Sequence, residues 1–319
     1  MNDNLKETSS TSFSSKEKRL LWATTRSVLE TDQFKHKRHG KKSKSHWNYF
    51  KRILHFLIWG AKISGFYKKG YENARKIEIN EHELHFNNLP TNFDGFRILH
   101  LSDLHIDAMP ELLSSILHVV DQAEFDVAVL TGDYRKESSG SYQQILEPMK
   151  RVGELLQSEF KPLAILGNHD TWIMTQYEEE LQIRFLINET ISLERGGQSI
   201  FISGADDPFS FYTDAALESF RKKPGFKIAL VHTSELADVA ADNNYQLYLC
   251  GHTHGGQVCL PGGKALISHQ AEGNEYISGF WKHGNMTGFT SKGCGVSGVP
   301  LRFNCPGEIT ILTFKKSYN

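Results

Sequence analysis

Polar side chains with metal-binding chemistry follow short apolar runs in five successive motifs of the sequence. They are Asp103 and His105 in "SDLH", Asp133 in "TGDY", Asn168, His169 and Asp170 in "LGNHD", His232 in "LVHT", and His252 and His254 in "GHTH". A single polar residue at a strand end is more often a cap, but capping does not explain five repetitions at the same place. Carboxylate, amide and imidazole ligands together suit Mn²⁺, Fe²⁺ or Zn²⁺, and a set without cysteine argues against a structural zinc site. The motifs therefore predict a centre for two divalent metal ions.

The apolar runs before these motifs are short and continuous, and amphipathic stretches separate the early ones. "FRILHL", "FDVAVL" and "KPLAIL" are typical of strands buried on both faces, and "PELLSSILHVVDQAE" is typical of a helix. This alternation predicts an α/β layered fold. Sites in such folds gather beyond the carboxyl ends of the strands, so we expect the polar residues to converge. The glycines around His252 and His254 predict a strand that runs into a tight turn.

The net charge of -1 conceals a basic N-terminal part and an acidic remainder. Residues 1–76 carry 18 Lys and Arg against 6 Asp and Glu, whereas residues 77–319 carry 18 against 31. Residues 1–46 are rich in Ser, Thr, Lys and His and have little apolar pattern, so we expect a disordered basic arm. Because this arm contains no long apolar run, a signal peptide is not expected, and the sequence favours a cytoplasmic protein.

Residues 47–70 contain the stretch "WNYFKRILHFLIWGAKISGFY", which predicts a basic amphipathic helix. Its apolar side would carry Trp47, Phe50, Ile53, Leu54, Leu57, Ile58 and Ala61, and its polar side Asn48, Lys51, Arg52, His55 and Lys62. The uncharged part is too short to cross a bilayer, which takes about 20 apolar residues. We expect the helix to lie on an anionic membrane surface. Packing against the same chain is the main alternative, and nucleic-acid binding is a weaker one.

The motif series D-x-H, G-D, G-N-H-D, H and G-H-x-H resembles the calcineurin-like metallophosphoesterase superfamily over residues 96–256. The resemblance implies a four-layer αββα sandwich for residues 76–319, preceded here by the amphipathic helix. The segments "GHTHGGQVCLPGG" and "TSKGCGVSGVPLRFNCPGEITILTF" further resemble the YaeI/YkuE-like branch, which includes the UDP-2,3-diacylglucosamine pyrophosphatase LpxG.

The superfamily resemblance also implies a role for each motif residue. One ion would be bound by Asp103, His105, Asp133 and His254, and the other by Asp133, Asn168, His232 and His252. The carboxylate of Asp133 would bridge the two ions, for which Mn²⁺ is the first candidate and Fe²⁺ or Zn²⁺ the alternatives. His169 would stabilise the phosphoryl group or protonate the leaving oxygen, and Asp170 would fix the tautomer of His169. The resemblance implies no organic cofactor.

Phosphoester hydrolysis is the chemistry that these residues imply, but they do not distinguish monoester, diester and diphosphate substrates. The LpxG resemblance and the basic helix favour cleavage of UDP-2,3-diacylglucosamine to UMP and lipid X, in lipid A biosynthesis at the inner face of the inner membrane. A phosphodiesterase of other or broad substrate range is the main alternative, and a nuclease or a metal-free scaffold is a weaker one. Arg135 and Arg302 are further candidates for contacting a phosphate, although loop arginines are more often solvated surface groups. The Asp206–Asp207 pair is a candidate for ordering the substrate entrance, or simply caps its loop.

Overall fold

The computed structural model describes residues 14–39, 60, 62–221, 224–266 and 276–318, with side chains for all of these except residues 32–39. In chain order the strands are β1 (Ile77–Phe86), β2 (Arg97–Leu101), β3 (Val127–Leu130), β4 (Leu163–Ala164), β5 (Arg184–Phe185), β6 (Glu189–Arg195), β7 (Gln198–Gly204), β8 (Phe226–Leu230), β9 (Leu247–Cys250), β10 (Gly279–His283), β11 (Met286–Thr290) and β12 (Gly307–Lys316). The α-helices are α1 (Ser15–His39), α2 (Phe66–Ala74), α3 (Leu112–Val120), α4 (Gln143–Leu155), α5 (Glu178–Leu181), α6 (Pro208–Phe211), α7 (Asp214–Glu218) and α8 (Ala237–Asp242).

The strands form two six-stranded sheets that both mix parallel and antiparallel pairs. The first sheet has the order β1-β12-β2-β3-β4-β5, and the second has the order β10-β11-β9-β8-β7-β6. Strands β2 to β5 run parallel to one another in the first sheet, as do β7, β8, β9 and β11 in the second. The carboxyl ends of these parallel strands are where the sequence places its polar motifs.

Three hydrophobic clusters separate four layers of structure. Alternate residues of one strand show the arrangement, because Leu99 belongs to the cluster under α3 and α4, whereas Ile98 packs toward the second sheet. In the second sheet Ile228 faces that same inner cluster, and Ala229 packs with Ala237 and Ala240 of α8. The layers are therefore helix, sheet, sheet and helix, which confirms the predicted αββα sandwich.

Helix α1 corrects the expectation that residues 1–46 are disordered, because residues 15–39 of that arm are helical. Trp22 and Arg26 are buried, with 8% and 1% of their surface exposed, although Leu20 and Leu21 are largely exposed. The helix thus packs on the domain through an aromatic and an ionised side chain rather than through an apolar stripe. A search for apolar periodicity does not detect such a face.

The predicted helix over residues 47–70 lies mostly outside the described residues. In the described part, residues 60 and 62–70, Gly65 has a left-handed backbone with φ of 78°, and α2 begins immediately after it. A residue in this conformation interrupts an α-helix, so α2 is a separate element that extends to Ala74. None of the helices in the described part of the chain combines the length and apolar content needed to cross a bilayer.

Candidate metal centre

The loops that follow β2, β3, β4, β8 and β9 converge at the carboxyl edges of the two sheets. A backbone hydrogen bond from Asp103 to the Gly132 carbonyl (2.9 Å) joins the first two loops, and one from Gly251 to the His232 carbonyl (2.9 Å) joins the last two. Five of the seven predicted ligand residues adopt a left-handed backbone, which is uncommon for residues other than glycine: Asp103, His105, Asp133, His252 and His254. Backbone strain of this kind concentrates at functional sites.

The first group of predicted ligands consists of Asp103, His105 and His254, whose ligand atoms lie within 4.8 Å of one another. The Nε2 atoms of His105 and His254 are 3.1 Å apart. His254 Nε2 lies 3.6 Å from Asp103 Oδ1, and His105 Nε2 lies 3.7 Å from Asp133 Oδ2. The three side chains of this group and that of Asp133 are buried.

The second group consists of Asp133, Asn168, His232 and His252. His232 Nε2 lies 3.3 Å from Asp133 Oδ2, 3.1 Å from Asn168 Oδ1 and 3.2 Å from His252 Nδ1. Asp133 Oδ2 is the atom common to both groups, because it faces His105 on one side and His232 on the other. The structure thus brings together all seven predicted ligands, with Asp133 between the two groups.

Hydrogen bonds to main-chain carbonyls fix how two of the imidazoles face this centre. Nδ1 of His105 donates to the Arg135 carbonyl (2.8 Å), and Nδ1 of His232 donates to the Thr131 carbonyl (2.7 Å). A carbonyl oxygen only accepts, so in the neutral ring Nε2 has a bare lone pair directed at the carboxylates. An imidazole anchored in this way is prepared to bind a metal ion, and the donor set of oxygen and nitrogen atoms fits a divalent cation.

Burial makes the ionisation of these groups depend strongly on their neighbours. Burial acts to raise the pKa of Asp133, but the adjacent His232, His169 and His105 hold it well below its usual range. Burial likewise raises the pKa of Asp103 to about 6, and the charge of Asp133 acts in the same direction. Two carboxylates in a buried space repel one another unless positive charge lies between them. A divalent cation would supply that charge.

Two glycines allow the ligand loops to approach this closely. A Cβ atom on Gly251 would lie 1.9 Å from Ser102 Oγ and 2.2 Å from Asp103 Oδ2. A Cβ atom on Gly167 would lie 2.2 Å from Asp133 Oδ1. These contacts are too short for any other residue, so the glycines of "CGHTH" and "LGNHD" are required by packing around the carboxylates.

His169 lies at the rim of the centre, with 24% of its side chain exposed. Its Nδ1 donates to the Lys136 carbonyl, and its Nε2 is 4.0 Å from Asp133 Oδ2. Its backbone N–H donates to Asp133 Oδ1 (2.9 Å). His169 is therefore next to the predicted ligands and accessible from solvent, as a residue that touches substrate must be.

Asp170 is placed differently from the expectation that it fixes the tautomer of His169. Its buried carboxylate accepts hydrogen bonds from the backbone N–H groups of Gly167 (2.8 Å), Asp133 (2.8 Å) and Tyr134 (2.9 Å). The tautomer of His169 is instead determined by the Lys136 carbonyl. Asp170 thus joins the "TGDY" and "LGNHD" loops, a role that its strand-end position does not reveal.

The further arginine candidates are buried rather than solvated. Arg135 donates to the His169 carbonyl (2.6 Å) and to two other carbonyls of its own loop. Arg302 is fully buried and donates to the carbonyls of Lys292 (2.7 Å) and Gly295 (2.6 Å), among others. Both arginines therefore stabilise loop backbones. Their guanidinium groups donate to main-chain carbonyls, whereas the sequence had offered them as ligands for a phosphate.

Three residues near the centre were missed by the sequence analysis. Arg26 and Glu30 of α1 contact the "LGNHD" loop, and the half-exposed ring of Phe209 lies 4.7 Å from the His252 ring, centroid to centroid. The spacing of Trp22, Arg26 and Glu30 at every fourth residue, which puts them on one helical face, was an available signal for the α1 contact.

Comparison with known proteins gives consistent results over the region that carries the centre. A family model described as calcineurin-like phosphoesterase matches residues 96–256. The chain is 31% identical over 293 residues to the uncharacterized metallophosphoesterase YkuE of Bacillus subtilis, an alignment that covers 86% of this chain and 99% of YkuE. It is 28% identical over 268 residues to phosphodiesterase YaeI of Escherichia coli, covering 79% of this chain and 93% of YaeI. An uncharacterized metallophosphoesterase of Helicobacter pylori is 27% identical over 278 residues, covering 82% of this chain and 71% of that protein.

Proposed function

Because the chain belongs to the calcineurin-like phosphoesterase family, and is therefore a hydrolase of phosphoester bonds, we propose that it works with two divalent metal ions. The observation that carries this proposal is the pair of ligand groups that share Asp133 Oδ2. One ion would be held by Asp103, His105, Asp133 and His254, and the other by Asp133, Asn168, His232 and His252. We call these site 1 and site 2. Mn²⁺ is the proposed metal, with Fe²⁺ or Zn²⁺ as alternatives.

Each protein group then has a defined task in hydrolysis. When bound, the two ions supply a water of lowered pKa and neutralise charge on the phosphoryl oxygens. Asp133 would contribute to both sites, because its Oδ2 faces His105 of site 1 and His232 of site 2. The Lys136 carbonyl orients the His169 ring, so that its protonated form presents Nε2–H to the phosphoryl group or to the leaving oxygen. Asp170 positions the backbones of both adjacent loops and does not act on substrate.

For the substrate we propose a diphosphate, UDP-2,3-diacylglucosamine, cleaved to UMP and lipid X in lipid A biosynthesis. The support is the resemblance of two C-terminal segments to LpxG and the basic amphipathic sequence over residues 47–70. Such a sequence is suited to an anionic membrane surface, which would put the enzyme on the inner face of the inner membrane, next to a lipid-linked nucleotide. Phe209 adds an exposed aromatic ring beside His252, where an organic part of the substrate would pack.

A phosphodiesterase of other or broad range is the second candidate. The name of the E. coli relative YaeI, a phosphodiesterase with 28% identity over 79% of this chain, favours it. Both candidates use the same metal centre and the same His169.

A substrate panel separates the two candidates. Purified full-length protein with Mn²⁺ is incubated with UDP-2,3-diacylglucosamine, bis-p-nitrophenyl phosphate, a cyclic dinucleotide and single-stranded DNA, and products are identified by mass spectrometry. Release of UMP and lipid X, at a kcat/KM well above that for the other substrates, is the expected result. Comparable turnover of the diesters would favour the second candidate, and an absence of any metal-dependent hydrolysis would contradict both.

A further inference from the structure

Helix α1 contacts the metal centre although it lies outside the residues matched by the family model. Arg26 is buried, and its Nη2 donates to the carbonyls of Gly167 (3.2 Å) and Asp170 (3.1 Å). These two carbonyls flank Asn168, the proposed site 2 ligand, and His169. The guanidinium therefore holds the main chain on both sides of the residues that reach into the centre.

Glu30 extends this contact along the same loop. Its Oε1 accepts from the backbone N–H of Trp172 (2.9 Å) and from Arg26 Nε (3.0 Å), and its Oε2 accepts from Thr171 Oγ1 (2.8 Å). Because Arg26 and Glu30 are one helical turn apart, both lie on the face of α1 that meets the loop. Residues 167–172 are thus bound to α1 through donors and acceptors of both side chains.

The same guanidinium also contacts the loop that follows β7 in the second sheet. Arg26 Nη1 forms a buried ion pair with Asp206, which also accepts from Trp22 Nε1 (2.7 Å). The Arg26 Cζ atom stacks 3.3 Å from the centroid of the Phe211 ring in α6. Helix α6 also carries Phe209, the residue whose ring packs against His252.

We propose that Arg26 is a positioning residue for metal site 2, acting from α1 on the loops that hold Asn168 and support His252. Site 2 takes both of these ligands, whereas site 1 takes neither. The inference rests on the proposed two-metal function, and it makes α1 part of the catalytic domain. Residues that orient ligands from behind contribute to metal affinity, and their loss costs about 10- to 100-fold.

The test compares Arg26→Lys with wild type and with Arg19→Ala. Lysine keeps the positive charge but cannot reach two carbonyls and Asp206 with one planar group. Arg19 is the matched control, because it pairs with Glu178 from the same helix and has no contact with residues 167–172 among the described contacts. The metal-free proteins are titrated with Mn²⁺, and bound metal per chain is measured by mass spectrometry after equilibrium dialysis.

Wild type and Arg19→Ala are expected to bind two ions, and Arg26→Lys to bind one ion normally and the second at least tenfold more weakly. Amide hydrogen exchange of residues 167–172 in the metal-free protein should also be faster in Arg26→Lys, with β8 and β9 unchanged. If Arg26→Lys binds both ions with wild-type affinity and its loop exchanges at the wild-type rate, the inference is wrong. If wild type itself fails to bind two ions, the proposed function fails instead.

Two additional measurements keep the inference testable if Arg26→Lys folds poorly. Glu30→Gln leaves the buried Arg26–Asp206 pair in place and removes the negative charge that accepts hydrogen bonds from residues 171 and 172. The affinity for the second Mn²⁺ is therefore expected to weaken several-fold. In Arg26→Ala, added guanidinium chloride at millimolar concentration should restore part of the affinity for the second ion. A purely structural contribution of Arg26 would give neither the selective loss in Glu30→Gln nor the rescue, and their joint absence would overturn the proposal.

Discussion

The imidazole rings of His105 and His254 lie nearly parallel, 21° apart, with their Nε2 atoms facing each other at 3.1 Å. His105 uses its Nδ1 proton on the Arg135 carbonyl, so its Nε2 offers a lone pair. Burial lowers the pKa of His105 to about 4 and keeps that of His254 well below its usual range, which favours uncharged rings. Two ring nitrogens in this arrangement are best stabilised by a cation between or beside them.

Metal removal is therefore expected to destabilise the fold as well as abolish hydrolysis. A ligand that binds only the native state stabilises it by RT ln(1 + [L]/Kd), about 2.7 kcal/mol at a hundredfold excess over Kd. Dialysis against EDTA should lower the Tm by several degrees, and added Mn²⁺ should restore both Tm and activity. Calorimetry with and without Mn²⁺ measures this. An unchanged Tm across that titration would argue against a buried metal centre.

Asp133→Asn should remove the negative charge on the one oxygen that faces both ligand groups. We expect activity to fall by far more than tenfold, and bound metal to fall below two ions per chain, with the fold retained because asparagine is nearly isosteric. Metal content and circular dichroism check the two parts. A variant that keeps more than about a tenth of the wild-type rate, equivalent to about 1.4 kcal/mol in barrier height, would contradict the bridging role.

His169→Ala separates a residue that acts on substrate from a metal ligand. His169 lies within ligand distance of His105 and Asp133, so both roles are geometrically open. If it stabilises the phosphoryl group or protonates the leaving oxygen, kcat should fall by roughly 100-fold or more while two ions stay bound. Loss of one ion from the purified variant would instead identify His169 as a ligand.

Residues 47–70 provide a prediction about membranes that is independent of the metal centre. Replacing Leu57 and Ile58 with Ser should release the protein from vesicles even at low salt, because apolar anchoring is lost. Replacing Lys51 and Arg52 with Ser should weaken attachment mainly to anionic vesicles, by about 1 kcal/mol per basic residue. Flotation assays measure binding, and bis-p-nitrophenyl phosphate hydrolysis serves as the control. If the Leu57/Ile58 variant aggregates and loses this activity too, the segment packs within the domain instead.

His100 predicts part of the acid sensitivity of the fold. It is fully buried in β2, where burial lowers its pKa from 6.5 to about 3. The unfolded chain therefore binds a proton that the native state does not, so stability falls as pH decreases from about 6.5 toward 3, by up to 1.4 kcal/mol per pH unit. Urea denaturation of metal-free His100→Gln should show a shallower pH dependence over this range. The exposed His85→Gln is the control, and equal slopes for His100→Gln and wild type would refute the prediction.

The convergence of the seven candidate ligands was predictable because each of them follows a buried strand, so that local sequence and fold both determine its place. Asp133 and His232 illustrate this, since parallel strands bring their ends to one edge. That residues 15–39 form an ordered helix packed on the domain was not predictable in the same way. The face that contacts the domain carries Trp22, Arg26 and Glu30, and Asp206, the partner of Trp22 and Arg26, is distant in the sequence. The four-residue spacing of these side chains marks one face of the helix, but it does not indicate which part of the domain that face meets.

The position of β12 has a consequence for how the chain is made on the ribosome. This strand inserts between β1 and β2, pairing with β1 from Ile77 opposite Gly307 to Phe86 opposite Lys316. At 5–20 residues per second, on the order of 10 to 40 s separates the synthesis of β2 from that of β12. During that interval the nascent polypeptide has two strand edges that cannot yet be paired, and unpaired edges invite association with other chains. We therefore expect chaperone protection during translation, more than the sequence of any single strand, to determine the yield of folded enzyme.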